Sequence, residues 1–499
     1  MNGLDWISKW ALYSPEKVAI KETWSENEAT YSQLNTQAEK IARTLKSTFG
    51  IQKGDRIVVL SGFNIDFIAL FSAAQKLGFV IVPLNTRLTK HEINYQIEDS
   101  GAKLIIAQDE FLDLISQNET QSVAWSEVQS ELSLEVNTDI SEDDPIFILY
   151  TSGTTGKPKG AIYTHKMLFW NSINTQLRLD INSDDVTLNC MPSFHTGGWN
   201  VLITPFLHHG ASVWLTKEFD PADVLIQLEK SKSTVFMAVP TMLKLMSEVS
   251  EIDQVNLQKV RYIIVGGEAL PIPTIEYWAD KGLPIRQGYG LTEVGPNVTS
   301  LHQDDAIRKR GSIGFFNYYI DGKIVNDNGD ECAADEVGEL WLSGPNVTPG
   351  YWHNEKANSS SFQDGWFKTG DLVRQDTDGY IYVAGRKKEM YISGGENVYP
   401  REVEQVLQAH PEISDVAIIG VADEKWGETG AGFAVKKQKS DLTKEDLIQY
   451  TKEYLAKFKV PRYIFFMDEL PLNDAGKINK KELLEIFNHK LKSNDHENV

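Results

Sequence analysis

Short apolar runs recur through the first hundred positions, separated by stretches with helical spacing. Ile57-Val58-Val59-Leu60, Phe79-Val80-Ile81-Val82 and Leu104-Ile105-Ile106 read as strands. Asn64 to Leu77 reads as a helix, and so does Thr89 to Ser100, with Thr89 as its cap. Strands alternating with helices in this way predict βαβ units on a parallel sheet. A second alternation runs from Val186 to Gly266, with strands at Val186–Leu188, Ala211–Leu215, Val235–Val239 and Arg261–Val265. Two such halves predict two sheets with a crevice between them, where open α/β folds place ligands. Glu339–Leu342 and Gly379–Val383 read as antiparallel strands bounded by turns.

After Gly385-Arg386-Lys387-Lys388 the pattern becomes that of a small α+β unit. Helices are expected at Val403–Gln408 and Leu442–Lys457, and strands at Val416–Ile419, Phe433–Val435 and Tyr463–Phe466. The expected fold class is therefore α/β. A large N-terminal domain (1–385) holds two βαβ-type sheets plus a small β-barrel-like subdomain. A hinge (386–388) leads to a small α+β C-terminal domain (389–487), and a polar tail (488–499) is expected to lack structure.

Between the two alternations, Ile146-Phe147-Ile148-Leu149 runs into Tyr150-Thr151-Ser152-Gly153-Thr154-Thr155-Gly156-Lys157-Pro158-Lys159-Gly160. Glycines let backbone N–H groups approach an anion, and hydroxyls and ammonium groups add donors and charge, so the composition suits a polyphosphate. It is not a Walker A loop, because only two residues separate Gly153 from Gly156 and Pro158 follows Lys157. Proline bars a helix there, so a flap is expected rather than a loop that opens a helix.

Composition narrows the partners. The 499 residues exceed one compact core, and 41% hydrophobic with 24% charged is ordinary for a soluble globular protein. A net charge of −21 argues against nucleic acid. Two distant cysteines, Cys190 and Cys332, give neither a disulfide framework nor a metal cluster. The N-terminus lacks the apolar stretch of a signal peptide, no run suits a membrane helix, and the last residues carry no peroxisomal or prenylation signal, so a cytoplasmic protein is expected.

Other segments join the glycine-rich loop: Pro192-Ser193-Phe194-His195-Thr196-Gly197-Gly198, Gly266-Gly267-Glu268-Ala269, Gly288-Tyr289-Gly290-Leu291-Thr292-Glu293, Thr369-Gly370-Asp371-Leu372, Gly385-Arg386 and Gly476-Lys477. In this order, from about Thr30 to Ile478, they resemble the AMP-forming adenylating superfamily of acyl-CoA synthetases, peptide-synthetase adenylation domains and luciferases. Asp423-Glu424-Lys425-Trp426-Gly427-Glu428 is similar to the acyl-CoA synthetase branch, fatty-acid–CoA ligases included. The resemblance implies activation of a carboxylic acid by ATP, release of pyrophosphate, and transfer of the acyl group from the adenylate to a thiol.

It also implies residue roles. Thr151, Ser152, Gly153, Thr154, Thr155, Gly156 and Lys157 would take the phosphates, and Gly267, Glu268, Ala269, Gly288 and Gly290 would frame the nucleotide. Tyr289 would stack on the purine, Thr292 would donate to the α-phosphate, and Glu293 would hold Mg2+ through a hard carboxylate. Asp371 and Arg386 would hold the ribose. Lys477 would bridge the substrate carboxylate and the α-phosphate, although family members carry basic and threonine residues where Leu472 and Asn473 stand.

His195 would sit at the acid's carboxylate, where peptide-synthetase domains carry an Asp, so an amino-acid substrate is disfavoured. Lys388 matches the hinge, and Gly394 and Gly395 match the glycines beside the pantetheine arm of CoA. The acyl pocket would draw on His195, Trp199, Val239, Thr241, Gly266 and Gly290, mostly apolar or small, which favours a fatty acid. Trp199 would shorten the tunnel. Aryl or o-succinylbenzoate acids, a carrier protein as acceptor, and a homodimer stay open.

Overall fold

The computed structural model describes residues 3–116, 118–128, 139–151, 157–267, 270–438, 440–473 and 477–494. The two expected alternations form two separate sheets. The first has six strands in the order Ser122–Val123, Leu104–Ala107, Arg56–Leu60, Val80–Pro83, Pro145–Thr151, Lys159–Thr164. Its first five strands pair in parallel and the last pair is antiparallel. Helices on its faces begin where the sequence places caps. Thr89 and Glu92 close a reciprocal capping box at the start of Lys90–Ser100, and Gly101 ends that helix with φ 61°.

The second sheet has nine strands, with a parallel centre and antiparallel edges. Its order is Phe315–Phe316, Thr299–Ser300, Ile285–Tyr289, Tyr262–Val265, Val235–Ala238, Val186–Asn189, Ser212–Leu215, Val18–Glu22, Glu28–Thr30. Its central strands are apolar on both faces, as burial under helices on either side requires. One face joins the helices Tyr31–Ser47 and Ile65–Leu77 in the largest core, and the other packs on Pro221–Ser231, Pro240–Glu248 and Ile272–Asp280.

A third, antiparallel sheet holds Asp321–Val325, Gly338–Ser343, Trp366–Gln375, Phe362–Gln363 and Ile381–Arg386. The two strands expected there do not pair with each other. Both pair with Trp366–Gln375, each through a bulge. The last sheet, Glu396–Val398, Tyr391–Ser393, Gly427–Lys436 and Ile413–Asp423, with Tyr463–Met467 parallel to Gly427–Lys436, forms after residue 388.

Two expectations need correction. The helix expected over 442–457 is Lys444–Tyr454, because Thr443 caps it in a box with Asp446 and Leu455 is already extended. The tail from Asn488 does not begin unstructured: the last helix runs Lys480–Asn494 and is anchored by buried Leu483 and Phe487. Those two apolar anchors lie just before the tail, and the helix they hold continues into its first polar residues. No helix among the described residues is long and apolar enough to cross a membrane.

Candidate active site

The carboxyl ends of the two parallel sheets and one edge of the antiparallel sheet bring the motif residues together. Asp371 and Arg386 stand directly opposite each other on antiparallel strands, and Arg386 Nε lies 2.5 Å from Asp371 Oδ1. The Tyr289 hydroxyl donates to Asp371 Oδ2 at 2.5 Å. Asp371 is buried, and burial holds its carboxyl above the usual range against the opposing pull of Arg386. Tyr289 ends a central strand of the nine-stranded sheet, so its phenol ties that sheet to the antiparallel one. Gly288, beside it, would bring a Cβ to 3.2 Å from the Thr299 carbonyl.

Glu293 follows in the 3-10 turn Thr292–Val294. It is 8% exposed, and burial raises its carboxyl. Tyr351 donates its hydroxyl to Glu293 Oε1 at 2.8 Å, and the Thr348 N–H donates to the Glu293 carbonyl at 2.7 Å. A hard, buried carboxylate fits a divalent cation. Among the described residues no group of three His, Cys, Asp or Glu could hold one, so such an ion would take its other ligands from phosphate and water, the habit of Mg2+.

The glycine-rich segment joins Pro145–Thr151 to Lys159–Thr164, which pair antiparallel with Thr151 opposite Lys159. A strand follows it, not a helix, as Pro158 requires. Lys157 Nζ lies 5.0 Å above the Tyr95 ring and Lys159 Nζ 5.2 Å above the Tyr351 ring. Ser152, Gly153, Thr154, Thr155 and Gly156 lie outside the described residues, as do Glu268, Ala269 and Gly476.

His195 belongs to a loop that runs into the single π-helical turn Gly197–Val201. Such turns recur at functional sites. Its Nε2 is buried with no hydrogen-bond partner among the described residues. Burial, then the positive charges of Lys477 and Arg87, push the imidazole down to about 4. His195 is therefore neutral near pH 7, with one nitrogen available to a ligand. The charge of Lys477, near the far end of the chain, acts on both His195 and Asp371. The Lys477 N–H and carbonyl both bond to Asn473, at 3.0 and 2.7 Å, which fixes the backbone of the lysine.

On the acyl side the structure revises two residues. Trp199 is fully buried and lines no opening. Its ring packs among Phe63, Phe67, Phe147 and Phe71 at 4.8, 5.0, 5.2 and 5.7 Å, and its indole N–H donates to the Ser193 carbonyl at 2.7 Å. Gly290 does not keep space open for an acyl chain either, because a Cβ there would lie 1.5 Å from the Pro296 carbonyl oxygen. Gly266 would bring a Cβ to 3.6 Å from the Gly288 carbonyl, and Gly267, at φ +88°, to 3.8 Å from Val239. Thr241 is exposed.

Gly394 and Gly395 both have positive φ, +62° and +89°. A Cβ on Gly394 would meet the Trp426 ring at 2.6 Å, whereas Gly395 has open space. Lys388 is exposed, and partial desolvation of its ammonium, then the charge of Arg386, lowers its pKa.

Four residues here escaped the sequence reading. Tyr351 is 58 positions from Glu293, and Arg87 sits in a polar turn after the strand Val80–Pro83. The Met191 and Met237 methyl groups flank Gly197, 4.0 and 3.4 Å from a Cβ built on it. Only the Gly350-Tyr351-Trp352 aromatic pair after a glycine carried a local signal.

Residues 7–352 match the family described as AMP-binding enzyme, and residues 402–477 match the AMP-binding enzyme C-terminal domain. The chain is 34% identical over 486 residues to a 2-succinylbenzoate–CoA ligase of Geobacillus sp. strain WCH70, covering 97% of each. It is 34% identical over 501 residues to a long-chain-fatty-acid–CoA ligase of Mycobacterium tuberculosis, covering 98% of this chain and 99% of the other. Its fold matches the O-succinylbenzoate coenzyme A synthetase of Bacillus subtilis in complex with ATP and magnesium ion, with a TM-score of 0.87 at 33% identity, over 95% of this chain and 98% of the other. The chain thus belongs to the AMP-binding enzyme family and is an AMP-forming acid–thiol ligase.

Proposed function

We propose that the protein activates a carboxylic acid with an apolar body, a fatty acid in the first instance, and passes it to CoA. The observation that carries this reading is the convergence of Lys477 on both His195 and Asp371, which joins a carboxylate site to a ribose site. Asp371 and Arg386 hold the ribose hydroxyls, and Tyr289 stacks on the base while its hydroxyl holds Asp371 in place. The segment Thr151 to Lys157, with Gly267, Glu268, Ala269 and Gly288, frames the phosphates. Glu293 would hold Mg2+, which would neutralise phosphate charge.

Thr292 donates to the α-phosphate, and Lys477 bridges it to the substrate carboxylate as negative charge gathers there. Neutral His195 orients that carboxylate without adding a competing charge. Residues 1–385 form the activating body, 386–388 the hinge around Lys388, and 389–487 the part that turns between half-reactions. Gly395, with open space at its Cα, borders the thiol path, and Gly394 shapes the turn before it against Trp426.

One observation favours a second reading. Arg87 is an exposed cation close enough to act on His195. A second carboxylate on the substrate would find a partner there, which suits an aryl dicarboxylate of the succinylbenzoate kind.

The test is mass spectrometry of products after mixing enzyme, Mg·ATP, CoA and a pool of aliphatic, aromatic and dicarboxylic acids. AMP with a monocarboxylic acyl-CoA supports the first reading, and a product only from an aryl dicarboxylate supports the second. Adenylate without any acyl-CoA makes a carrier protein the acceptor. No ATP consumption with any acid in the pool counts against both readings.

A further inference from the structure

Glu293 is held by a segment that the nucleotide motifs do not include. Residues 348–352 run alongside the returning strand of the glycine-rich hairpin and are stitched to it. The Trp352 N–H donates to the Gly160 carbonyl at 2.7 Å, and the Ile162 N–H donates to the Gly350 carbonyl at 3.0 Å. Ala161 and Tyr351 form a bridge, and the Thr348 hydroxyl donates to the Ile162 carbonyl at 2.6 Å. From that position the Tyr351 hydroxyl reaches Glu293 Oε1 at 2.8 Å, while the Lys159 ammonium sits 5.2 Å above its ring. Tyr351 packs with Ala161 and Ala357 and is 8% exposed, so its ring has few alternative placements. One side chain thus touches the proposed metal ligand and rides on the strand that leaves the phosphate loop.

We propose that Tyr351 is a positioning residue for the adenylation step, orienting the Glu293 carboxylate toward the metal and setting its distance from the phosphate hairpin. In this role it acts through Glu293. The hydroxyl fills one lone pair of Oε1 and fixes the rotation of the carboxylate, leaving the remaining oxygen capacity for a cation. The backbone bond from Thr348 to the Glu293 carbonyl fixes the main chain at the same point. A carboxylate free to rotate would still bind a metal, but with weaker and less directed ligation, as is general when an outer partner of a ligand is removed. This inference rests on the adenylating reading of the site.

The test compares the full-length enzyme with Tyr351→Phe, which removes one oxygen and keeps the packed ring. Mn2+ is titrated by electron paramagnetic resonance in the presence of ATP without any acid, so that no turnover is involved. The expected result is Mn2+ affinity about tenfold weaker in the variant. ATP–pyrophosphate exchange should then show a raised KM for Mg·ATP that excess Mg2+ partly restores, while thioester formation from supplied acyl-adenylate is unchanged. Equal Mn2+ affinity in the two proteins overturns the proposal, and so does an equal loss in both half-reactions, which marks Tyr351 as purely structural. Should the wild type fail to exchange pyrophosphate with every acid offered, the adenylating reading falls, and the Mn2+ comparison still judges Tyr351 by itself.

Discussion

The proposed nucleotide side and the proposed acyl side of this site are built by opposite means. On the nucleotide side, charged and phenolic groups interlock: Tyr289 and Arg386 converge on Asp371, and Tyr351 converges on Glu293. On the acyl side the titratable group is neutral and the methyl groups of two methionines flank a glycine. The first arrangement needs particular functional groups at fixed distances. The second needs particular shapes and the absence of charge. A buried charge is costly unless it is paired, so the nucleotide side binds its partners through groups it must also satisfy when empty of them. The acyl side has no such obligation and can change shape more cheaply.

The sharpest way to break this comparison is to remove the group that belongs to both sides. Lys477→Ala should slow acyl-adenylate formation about a hundred- to a thousandfold, by analogy with losing one preorganised donor at a charged transition state. Thioester formation from supplied adenylate should survive, because the lysine's proposed work ends with the first step. ATP–pyrophosphate exchange measures the first quantity. Exchange at the wild-type rate would take Lys477 out of the chemistry and leave the two sides unconnected.

Acidification tests the neutral imidazole of His195 together with two others buried elsewhere in the fold. Burial lowers His195 and His165 from an ordinary 6.5 to about 4 and His208 to about 3. Below pH 6.5 the unfolded chain takes up these protons while the folded chain refuses them. The stability they contribute is therefore complete above pH 6.5 and is lost as the pH falls toward 4. Thermal unfolding followed between pH 7 and pH 4.5 should show the midpoint falling throughout, and His195→Gln should flatten part of that slope. A midpoint independent of pH over this window would mean that these imidazoles are not held neutral.

Asp371→Asn is the complementary cut on the charged side. Asn keeps the shape and can still accept from Tyr289, but it loses the charge that faces Arg386. A hydrogen bond to a charged group contributes about 1.5–3 kcal/mol, so affinity for ATP should drop roughly ten- to a hundredfold. Both half-reactions should suffer, because the adenylate is held by the same ribose. Loss confined to the first half-reaction would contradict a ribose role.

Gly290→Ala carries the same logic to the main chain. A Cβ 1.5 Å from the Pro296 carbonyl cannot be accommodated without moving the backbone between Tyr289 and Thr292. Overpacking of this kind costs about 1–3 kcal/mol, read as a lower unfolding midpoint together with a lower adenylation rate. An active, fully stable Gly290→Ala enzyme would show that the glycine serves substrate space after all.

The comparison also explains what the sequence could and could not reveal. The parallel strands were legible because burial on both faces leaves continuous apolar runs, as at Ile57–Leu60 and Leu104–Ile106. The helix at 90–100 was legible because Thr89 and Glu92 form a local box. Candidate nucleotide residues could be put forward because their motifs resemble those of one family, and the fold brings three of them, Tyr289, Asp371 and Arg386, into contact.

The partners of those groups could not be named. Tyr351 meets Glu293 across 58 positions, and nothing local marks either as needing the other. Trp199 and Gly290 were misplaced for a related reason. Residue type suggested a tunnel wall and an opening, but the neighbours that decide the matter, four phenylalanines and one proline carbonyl, come from distant segments or a turn whose path was not foreseen. The end of the chain misled by composition alone, since the polar residues from Asn488 continue a helix anchored just before them by Leu483 and Phe487.

The smallest expected effect is the one that most directly tests the adaptable side. Met237 lies on the strand Val235–Ala238 with its methyl against Gly197, two residues from His195. Met237→Leu conserves volume, so the fold should lose less than about 1.5 kcal/mol. The side chain exchanges a flexible thioether for a branched, stiffer shape. Acids that differ by one or two methylenes near the carboxylate should therefore change rank by a few-fold in kcat/KM, since a single methylene in an apolar pocket is worth roughly 1–3 kcal/mol at most. The KM for ATP should not move, because no hydrogen bond or ion pair joins Met237 to Asp371, Tyr289 or Glu293. If the KM for ATP shifts as much as the acid preference does, the two sides are mechanically coupled through the strand, and the division between a charged half and a shaped half fails. If the acid preference alone shifts, substrate choice in this chain resides in packing around the 195–197 loop, separable from the machinery that handles the nucleotide.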